Sequence, residues 1–322
     1  MGDGSKTGRV DLRGGLLLAL ALTLATCTSP APSPTPAYVP PTLVPLKTAT
    51  PTAAPAPTPT AAPTPLPTPT PPPTPVYIEH PGRMEVGSYY SHILGREMVY
   101  RIYLPPGYDV ESHTYPVLYL LHGHPFDEQH WDRLGVDETA EAGIRSGAYP
   151  PFLVVMPNGD PSPEGLYVST SGGDHSVEGL IVNELIPHID RTYRTWARRE
   201  GRAIGGISRG GVWSLEIGFR HPELFAAVGA HSAALSVNYP HPLYDPYTLA
   251  TDPAAASLRI WLDAGDVDWA RAGVERLHQV LEEHGVAHEY VIGEGDHTNA
   301  YWSRMLPAYL AFYAAGWPRA SR

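Results

Sequence analysis

Cysteine is almost absent from this chain of 322 residues, which contains only Cys27. A single cysteine cannot form an internal disulfide, so the folded part must depend on its apolar core for stability. Because no thiol follows residue 27, the sequence also excludes a cysteine nucleophile and a cysteine-ligated zinc ion in the rest of the chain.

Lysine is scarce too, since it occurs only at Lys6 and Lys47, and with 22 Lys and Arg against 33 Asp and Glu the formal net charge is -11. A chain this acidic is poorly suited to nucleic acid or to an anionic membrane surface, so neither is expected as a partner. Long apolar runs are also lacking near the start of the chain. The run over residues 16–25 has about ten residues, too few to span a bilayer core of about 30 Å.

The first 26 residues instead have the composition of an export signal. Three basic residues precede the short apolar run: Lys6, Arg9 and Arg13. The sequence Leu24-Ala25-Thr26-Cys27 resembles a bacterial lipobox, which predicts that Cys27 is lipidated and anchors the protein to a membrane. Thr26 stands where Gly, Ala or Ser is usual, and this departure leaves open plain secretion with cleavage near Ala25.

Proline is concentrated between the signal and the folded part. Residues 28–75 hold 19 of the 37 prolines, mixed with threonine and alanine. Such a segment buries too little apolar surface to offset its ordering entropy. We expect residues 27–75 to form an extended tether, up to about 150 Å long at roughly 3.1 Å per residue. Residues 76–322 remain, and their number suits one domain.

In residues 76–322, strand-like apolar runs alternate with amphipathic helical runs. The predicted strands begin with a hairpin and cover 86–94, 97–104, 116–121, 152–156, 203–207, 225–229, 258–262 and 289–292. The predicted helices cover 137–145, 177–193, 212–219, 269–284 and 301–315. Pro187 should kink or shorten the second helix. This alternation predicts an α/β fold with a mostly parallel sheet, helices on both faces, and functional residues at the carboxyl ends of the strands.

The strongest local pattern is Gly206-Ile207-Ser208-Arg209-Gly210, a G-x-S-x-G sequence between a predicted strand and a predicted helix. Alone, the five-residue pattern is common in ordinary glycine turns. Between a strand and a helix, however, it is typical of a nucleophile elbow, a strained turn that lifts the serine hydroxyl clear of the sheet. Gly206 and Gly210 are needed because side chains there would collide with neighbouring backbone. The pattern predicts that Ser208 is a nucleophile.

A serine nucleophile needs a base to take its proton and a carboxylate to orient that base. When the serine lies on such an elbow, the acid and then the histidine follow it along the chain. His297, after the last predicted strand, is the candidate base. Asp263, Asp266 and Asp268 follow the preceding strand, and we favour Asp268 over Asp266. The remaining aspartates would cap the helix that begins at Trp269.

The same chemistry needs two backbone donors for a developing oxyanion. Arg209 directly follows the nucleophile, so its N–H is the first candidate. The second should come from the loop that follows strand 116–121. There Gly123 permits a tight backbone and His124 offers the N–H.

These segments together resemble the putative esterase family, which includes esterase D, feruloyl, acetylxylan and enterochelin esterases, and mycolyltransferases. The resemblance covers nearly all of residues 85–316, and its motifs are Tyr115-Pro-Val-Leu-Tyr-Leu-Leu-His-Gly123, Trp131, Glu184-Leu-Ile-Pro-His-Ile-Asp190, Gly206-Ile-Ser-Arg-Gly-Gly211 and the aspartate and histidine loops. It implies an α/β-hydrolase fold with little or no lid, no cofactor, and Asp268 as the acid, three residues after Gly265. Arg209 departs from the apolar residue of many members, and its side chain would favour an acidic substrate.

The substrate is only weakly constrained by the sequence. Loops 160–176 and 236–257 are the expected pocket walls, and the candidate pocket residues are Trp131, Tyr167 and Tyr244. Aromatic walls suit sugars or aromatic acids, but they equally suit ordinary loop packing. An exported, tethered location favours an acylated carbohydrate over a siderophore ester, and both over transfer of a mycolyl group.

Two other interpretations remain open. His122, His124, Asp127 and His130 could form a metal site, although their spacing differs from that of metallo-β-lactamase-like hydrolases. The domain could also be a non-catalytic binding module tethered to the cell envelope. Retention of Ser208 and His297 argues against this second interpretation.

Overall fold

The computed structural model describes residues 80–159, 172–237 and 240–318. The chain divides into two compact units, Met1–Pro69 and Thr70–Arg322, and all of the first unit lies outside the described residues. The expected signal peptide (1–26), the lipidated Cys27 and the tether (27–75) therefore fall outside them as well.

Eight strands of the described residues form one sheet, in the order β1-β2-β4-β3-β5-β6-β7-β8. The strands are β1 (Arg83–Ser91), β2 (Arg96–Leu104), β3 (Val117–Leu121), β4 (Leu153–Pro157), β5 (Arg202–Ile207), β6 (Ala227–His231), β7 (Arg259–Gly265) and β8 (Glu289–Gly293). Strand β2 pairs antiparallel with β1 and β4, and the six strands from β4 to β8 are parallel. The carboxyl ends of six neighbouring strands therefore share one edge of the sheet.

The hairpin of β1 and β2 is shorter at its turn than the sequence predicts. Strand β1 ends at Ser91 instead of residue 94, because the next two backbone N–H groups leave the ladder. Those of His92 and Ile93 donate to Glu184 Oε1 at 2.7 and 3.1 Å. Gly95 closes the turn with φ 65°, a left-handed conformation that glycine adopts without a Cβ clash.

Helices cover both faces of the sheet. They are α1 (His130–Arg133), α2 (Val136–Arg145), α3 (Val177–Gly179), α4 (Ile186–Thr192), α5 (Arg209–Arg220), α6 (Pro246–Leu249), α7 (Arg271–Glu283) and α8 (Asn299–Ala314). Short 3₁₀ turns occur at Arg199–Gly201, Leu235–Val237, Pro242–Tyr244 and Pro253–Ser257. No helix in the described ranges is long and apolar enough to cross a membrane.

The helical segment predicted over residues 177–193 is present but irregular. A π-helical segment, Leu180–Leu185, separates α3 from α4. Pro187 lies just after it and has no N–H with which to donate to the preceding turn. The proline thus lies where the predicted helix is interrupted, next to the wider π turn.

Alternate residues of the central strands pack into two separate apolar clusters. Tyr119 and Ile204 belong to the cluster under α5 and α7, whereas Leu118 and Ala203 belong to the cluster under α2 and α8. Every residue of β3 is buried. This explains why the central strands are continuous apolar runs, since a parallel strand covered on both faces has no solvent side.

Candidate active site

Ser208 occupies a strained turn between β5 and α5. Its backbone has φ 55° and ψ −113°, and its N–H donates to the carbonyl of His231 at 2.8 Å. A Cβ at Gly206 would lie 2.2 Å from the Gly210 carbonyl oxygen, and a Cβ at Gly210 would lie 2.3 Å from that of Leu121. Both separations are impossible for real atoms, so the backbone requires glycine on either side of the serine.

The side chains of Ser208, His297 and Asp268 form a continuous line of hydrogen bonds. The Ser208 hydroxyl donates to His297 Nε2 at 2.9 Å, and His297 Nδ1 donates to Asp268 Oδ1, also at 2.9 Å. The Asp268 side chain is fully buried, and that of His297 is 15% exposed. Asp268 follows β7 and His297 follows β8, so the parallel strands bring the two loops to the same edge as Ser208.

The surroundings of Asp268 keep its carboxylate ionised. Burial by itself would raise the pKa of Asp268, but the hydrogen bonds from His297 and the Ala270 N–H, together with the nearby Ser232 side chain, outweigh burial and lower the pKa. The Ala270 N–H is 2.7 Å from Asp268 Oδ1. An ionised carboxylate can hold the His297 Nδ1 proton and stabilise the imidazolium that forms when Nε2 takes a second proton.

Asp266, the other candidate acid, holds the two loops together. Its carboxylate accepts a hydrogen bond from Gly295, whereas the carboxylate of Asp268 accepts one from His297. Asp266 Oδ1 accepts the Gly295 N–H at 2.8 Å, and the Val267 N–H donates to the Gly295 carbonyl at 3.0 Å. Gly295 has φ 138°, a conformation that a side chain would oppose. These bonds join the loop carrying Asp268 to the loop carrying His297 and so fix their separation.

Asp263 belongs to a buried polar cluster beneath the site. Four side chains donate to its carboxylate at 2.7 to 2.9 Å, namely His231, Trp261, Tyr301 and Tyr309. A buried carboxylate is tolerated only when its oxygens are hydrogen-bonded, and these four donors meet that need. Burial, together with Asp263, raises the pKa of Tyr301 and Tyr309 above the ordinary value, so both phenols remain protonated donors.

The two segments expected to supply an oxyanion hole lie beside the nucleophile. Arg209 is the first residue of α5, so its N–H belongs to the helix N-terminus. Gly123 packs against the serine, since a Cβ there would be 3.3 Å from Ser208 Cβ. The Gly123 N–H is directed to His130 Nδ1 at 3.3 Å, which leaves the His124 N–H as the candidate donor from this loop.

The neighbouring histidines are engaged in hydrogen bonds that hold this loop. His122 Nε2 accepts the Gly159 N–H at 2.8 Å, and His130 Nε2 contacts Asn299 Oδ1 at 3.0 Å. Burial lowers the pKa of His122 and brings the pKa of His130 to about 4, so both imidazoles are neutral at physiological pH. In residues 80–159, 172–237 and 240–318, no group of three or more His, Cys, Asp or Glu side chains could hold a metal ion.

Two of the three expected pocket residues lie elsewhere. Trp131 is 1% exposed and its Nε1 donates to the Leu121 carbonyl at 3.0 Å, so the indole is part of the core. Tyr244 packs on Arg220, whose guanidinium is 4.5 Å from the ring centroid. Arg220 ends α5, roughly 17 Å along the helix axis from its start beside Ser208. The expectation that Trp131 and Tyr244 line a pocket beside the nucleophile is therefore wrong, and the third residue, Tyr167, is outside the described residues.

Three residues that the sequence did not single out surround His297 and Asp268. The imidazole contacts Trp269 and Trp302, whose ring centroids are 4.4 and 5.0 Å away. Trp302 Nε1 donates at 3.0 Å to the hydroxyl of Ser232, which has φ 50°. Trp269 directly follows the candidate acid, and that position could have drawn attention to it. Nothing in the sequence points to Ser232, because only the pairing of β6 with β7 brings it near Asp268.

The family of the chain is shown by comparison with known sequences. A family model described as putative esterase matches residues 91–313, which is more than half of the chain. The chain belongs to the putative esterase family. The resemblance stated from its motifs is thereby confirmed.

Curated relatives in this group include an endo-1,4-beta-xylanase/feruloyl esterase of Xylanibacter ruminicola, 29% identical over 231 residues, which are 70% of this chain and 30% of the relative. Another is esterase Rv1288 of Mycobacterium tuberculosis, 30% identical over 164 residues, 49% of this chain and 34% of the relative. The matched parts thus span about a third of the length of these relatives. A solved ferulic acid esterase superposes with a TM-score of 0.67 at 24% identity, covering 74% of this chain and 99% of that one. This similarity confirms the α/β-hydrolase fold.

Proposed function

We propose that this member of the putative esterase family is a serine carboxylic-ester hydrolase. The observation that carries the proposal is the uninterrupted hydrogen-bonded line from the Ser208 hydroxyl through His297 to Asp268. Such a line on a nucleophile elbow gives a serine both a base and a group that orients the base. A core histidine or a loop aspartate placed by chance would not connect to an elbow serine in this way.

In the proposed reaction, His297 Nε2 takes the Ser208 proton while Ser208 Oγ forms a bond to the ester carbonyl carbon. The carbonyl oxygen becomes an oxyanion, held by the N–H groups of Arg209 and His124. His297 then returns the proton to the leaving alcohol as the ester C–O bond breaks, and the acyl group stays on Ser208. Water, deprotonated by His297, attacks the acyl carbon; the bond from that carbon to Ser208 Oγ then breaks as His297 returns the proton to Oγ, and the acid is released. Asp268 keeps its charge and holds His297 throughout.

We further propose that the substrate is an acylated carbohydrate or a similar small ester outside the cytoplasm. Support comes from the Xylanibacter ruminicola relative, whose alignment covers 70% of this chain. Its name combines an endo-1,4-beta-xylanase with a feruloyl esterase. The export signal, Cys27 as a lipid anchor and the proline-rich tether would place the domain on the outside of a membrane. Within the same fold, a siderophore esterase or an acyltransferase is the alternative activity, and a non-catalytic tethered binding module is the alternative of another class.

The test compares hydrolysis of p-nitrophenyl acetate by the full chain, by Ser208→Ala and by the matched control Ser88→Ala, an exposed serine on the edge strand β1. We expect Ser208→Ala to lower kcat by a factor of about a thousand or more, with the control unchanged. A fluorophosphonate probe should label the wild-type protein and the control but not Ser208→Ala. Absence of both hydrolysis and labelling in the wild-type protein would favour the binding module.

A second comparison addresses the substrate. Release of acetate or ferulate from xylan, without cleavage of an iron-chelator ester, is the result expected for a carbohydrate esterase. The opposite pattern would favour the siderophore esterase. Transfer of the acyl group to a sugar acceptor in preference to water would favour the acyltransferase.

A further inference from the structure

An exposed aromatic ring lies at the candidate active site. All seven tryptophans of the chain are in the described residues, and among them only Trp269 is exposed, at 50%. Val267, on the other side of Asp268, is 74% exposed. Folding normally removes such surface from water, and apolar side chains that remain exposed together at a site commonly bind a ligand.

Trp269 lies against the base of the candidate triad. Its ring centroid is 4.4 Å from that of His297, and the two planes are inclined by 39°. His297 also contacts Trp302, which is only 3% exposed. His297 therefore has one tryptophan neighbour in the core and one at the surface. Because half of the Trp269 surface is exposed, the indole is available for contact with a bound molecule.

The position of Trp269 indicates which part of a bound ester, the alcohol or the acyl group, lies beside its ring. His297 Nε2 is 2.9 Å from Ser208 Oγ, and this nitrogen must also deliver a proton to the leaving alcohol. The alcohol half therefore leaves alongside the imidazole. The candidate oxyanion donors lie at the start of α5 and in the loop beside Gly123, so the carbonyl oxygen is directed away from His297. A ring that contacts His297 thus faces the alcohol half and not the acyl half.

We propose that Trp269 is a specificity-determining platform on which a sugar forms the alcohol half of the substrate. This rests on the proposed esterase function and adds to it the residue that selects the alcohol half of the substrate. A broad indole face suits a sugar, because the C–H face of the sugar packs on the aromatic ring while its hydroxyl groups stay in water. A methyl ester of the same acid has no group that reaches the platform.

The experiment holds the acyl group constant and changes the alcohol. We would measure kcat/KM of the full chain for methyl ferulate against feruloyl arabinose, and for ethyl acetate against an acetylated methyl xyloside. Trp269→Ala should lower kcat/KM for the sugar esters by about tenfold and for the simple esters by less than about twofold. Trp269→Phe should keep most of the preference for sugar esters. Tyr90→Ala, which removes an aromatic ring that is 52% exposed on the opposite edge strand, is the matched control and should change neither.

Each other outcome overturns the inference in a distinguishable way. An equal fall for both alcohols in Trp269→Ala would mean that the indole only packs against His297. No fall for either alcohol would mean that it does not contact the substrate. If the wild-type protein is labelled by the fluorophosphonate at Ser208 but has no preference for sugar esters, only the platform is refuted. If it neither hydrolyses an ester nor is labelled, the proposed function fails and the platform fails with it.

Discussion

Glu216 is a buried acid whose replacement should change stability in a strongly pH-dependent way. It lies on α5, the helix that follows Ser208, and is 1% exposed. Within the described part of the chain, neither oxygen of its carboxyl group has a hydrogen-bond partner. Burial, reinforced by the nearby Glu178 carboxylate and only partly opposed by Arg220, raises the pKa of Glu216 from 4.5 to about 9. The folded protein therefore holds this proton at neutral pH.

The sign of the effect follows from proton binding in the two states. Between about pH 4.5 and pH 9 the folded protein keeps the Glu216 proton and the unfolded chain releases it, so the unfolded chain binds fewer protons. The free energy of unfolding therefore falls as the pH rises through this window, by at most about 1.4 kcal/mol per pH unit. Relative to its value at low pH, the contribution of Glu216 to the free energy of unfolding is lower by about 4 kcal/mol at pH 7.5 and by less than about 1 kcal/mol at pH 5.

Glu216→Gln removes this titration and keeps nearly the same shape. The free energy of unfolding of the variant minus that of the wild-type protein should be about 3 kcal/mol larger at pH 7.5 than at pH 5. Guanidinium chloride unfolding at both pH values measures this difference. Glu283→Gln, at an exposed glutamate on α7, is the matched control and should show equal differences at the two pH values. A stability difference for Glu216→Gln that is independent of pH would refute the assignment of a buried, protonated acid.

The remaining predictions concern the residues around His297. Asp268→Asn should lower kcat by several orders of magnitude, but by less than His297→Ala, because the base remains. Asp266→Asn should be milder, since the Asp266 carboxylate bonds to the loop of Gly295 and not to the base; a larger loss there than in Asp268→Asn would contradict the assignment of the acid. Ser232→Ala should leave the Trp302 N–H unpaired and lower the free energy of unfolding by about 1–3 kcal/mol. The acidic limb of the pH–rate profile should move to higher pH in Ser232→Ala, because Ser232 helps to lower the pKa of Asp268; an unchanged limb would show that Ser232 supports only Trp302.

Much of the fold could be predicted from the sequence because it depends on local patterns. Apolar runs of five or six residues indicated the central strands, and the boundaries of β3 and β4 agree with them to one residue. Errors occurred where a distant residue competes for backbone groups. Glu184 draws the residues after Ser91 out of the hairpin ladder. At the carboxyl end, β7 continues to Gly265 because it pairs with β8 that far.

The candidate site divides in the same way. The sequence by itself determined the elbow at Ser208, because glycines at fixed spacing between a strand and a helix are a local signal, and it placed His297, Asp266 and Asp268 in loops at the edge of the sheet that carries the elbow. Only the tertiary structure decided which aspartate meets the histidine, since that choice depends on hydrogen bonds between loops about thirty residues apart. Only the tertiary structure likewise decided that Trp269 and Ser232 lie near His297 and Asp268, and that Trp131 is buried beneath the loop. Side-chain direction and exposure in loops come from long-range packing, which a local pattern does not encode.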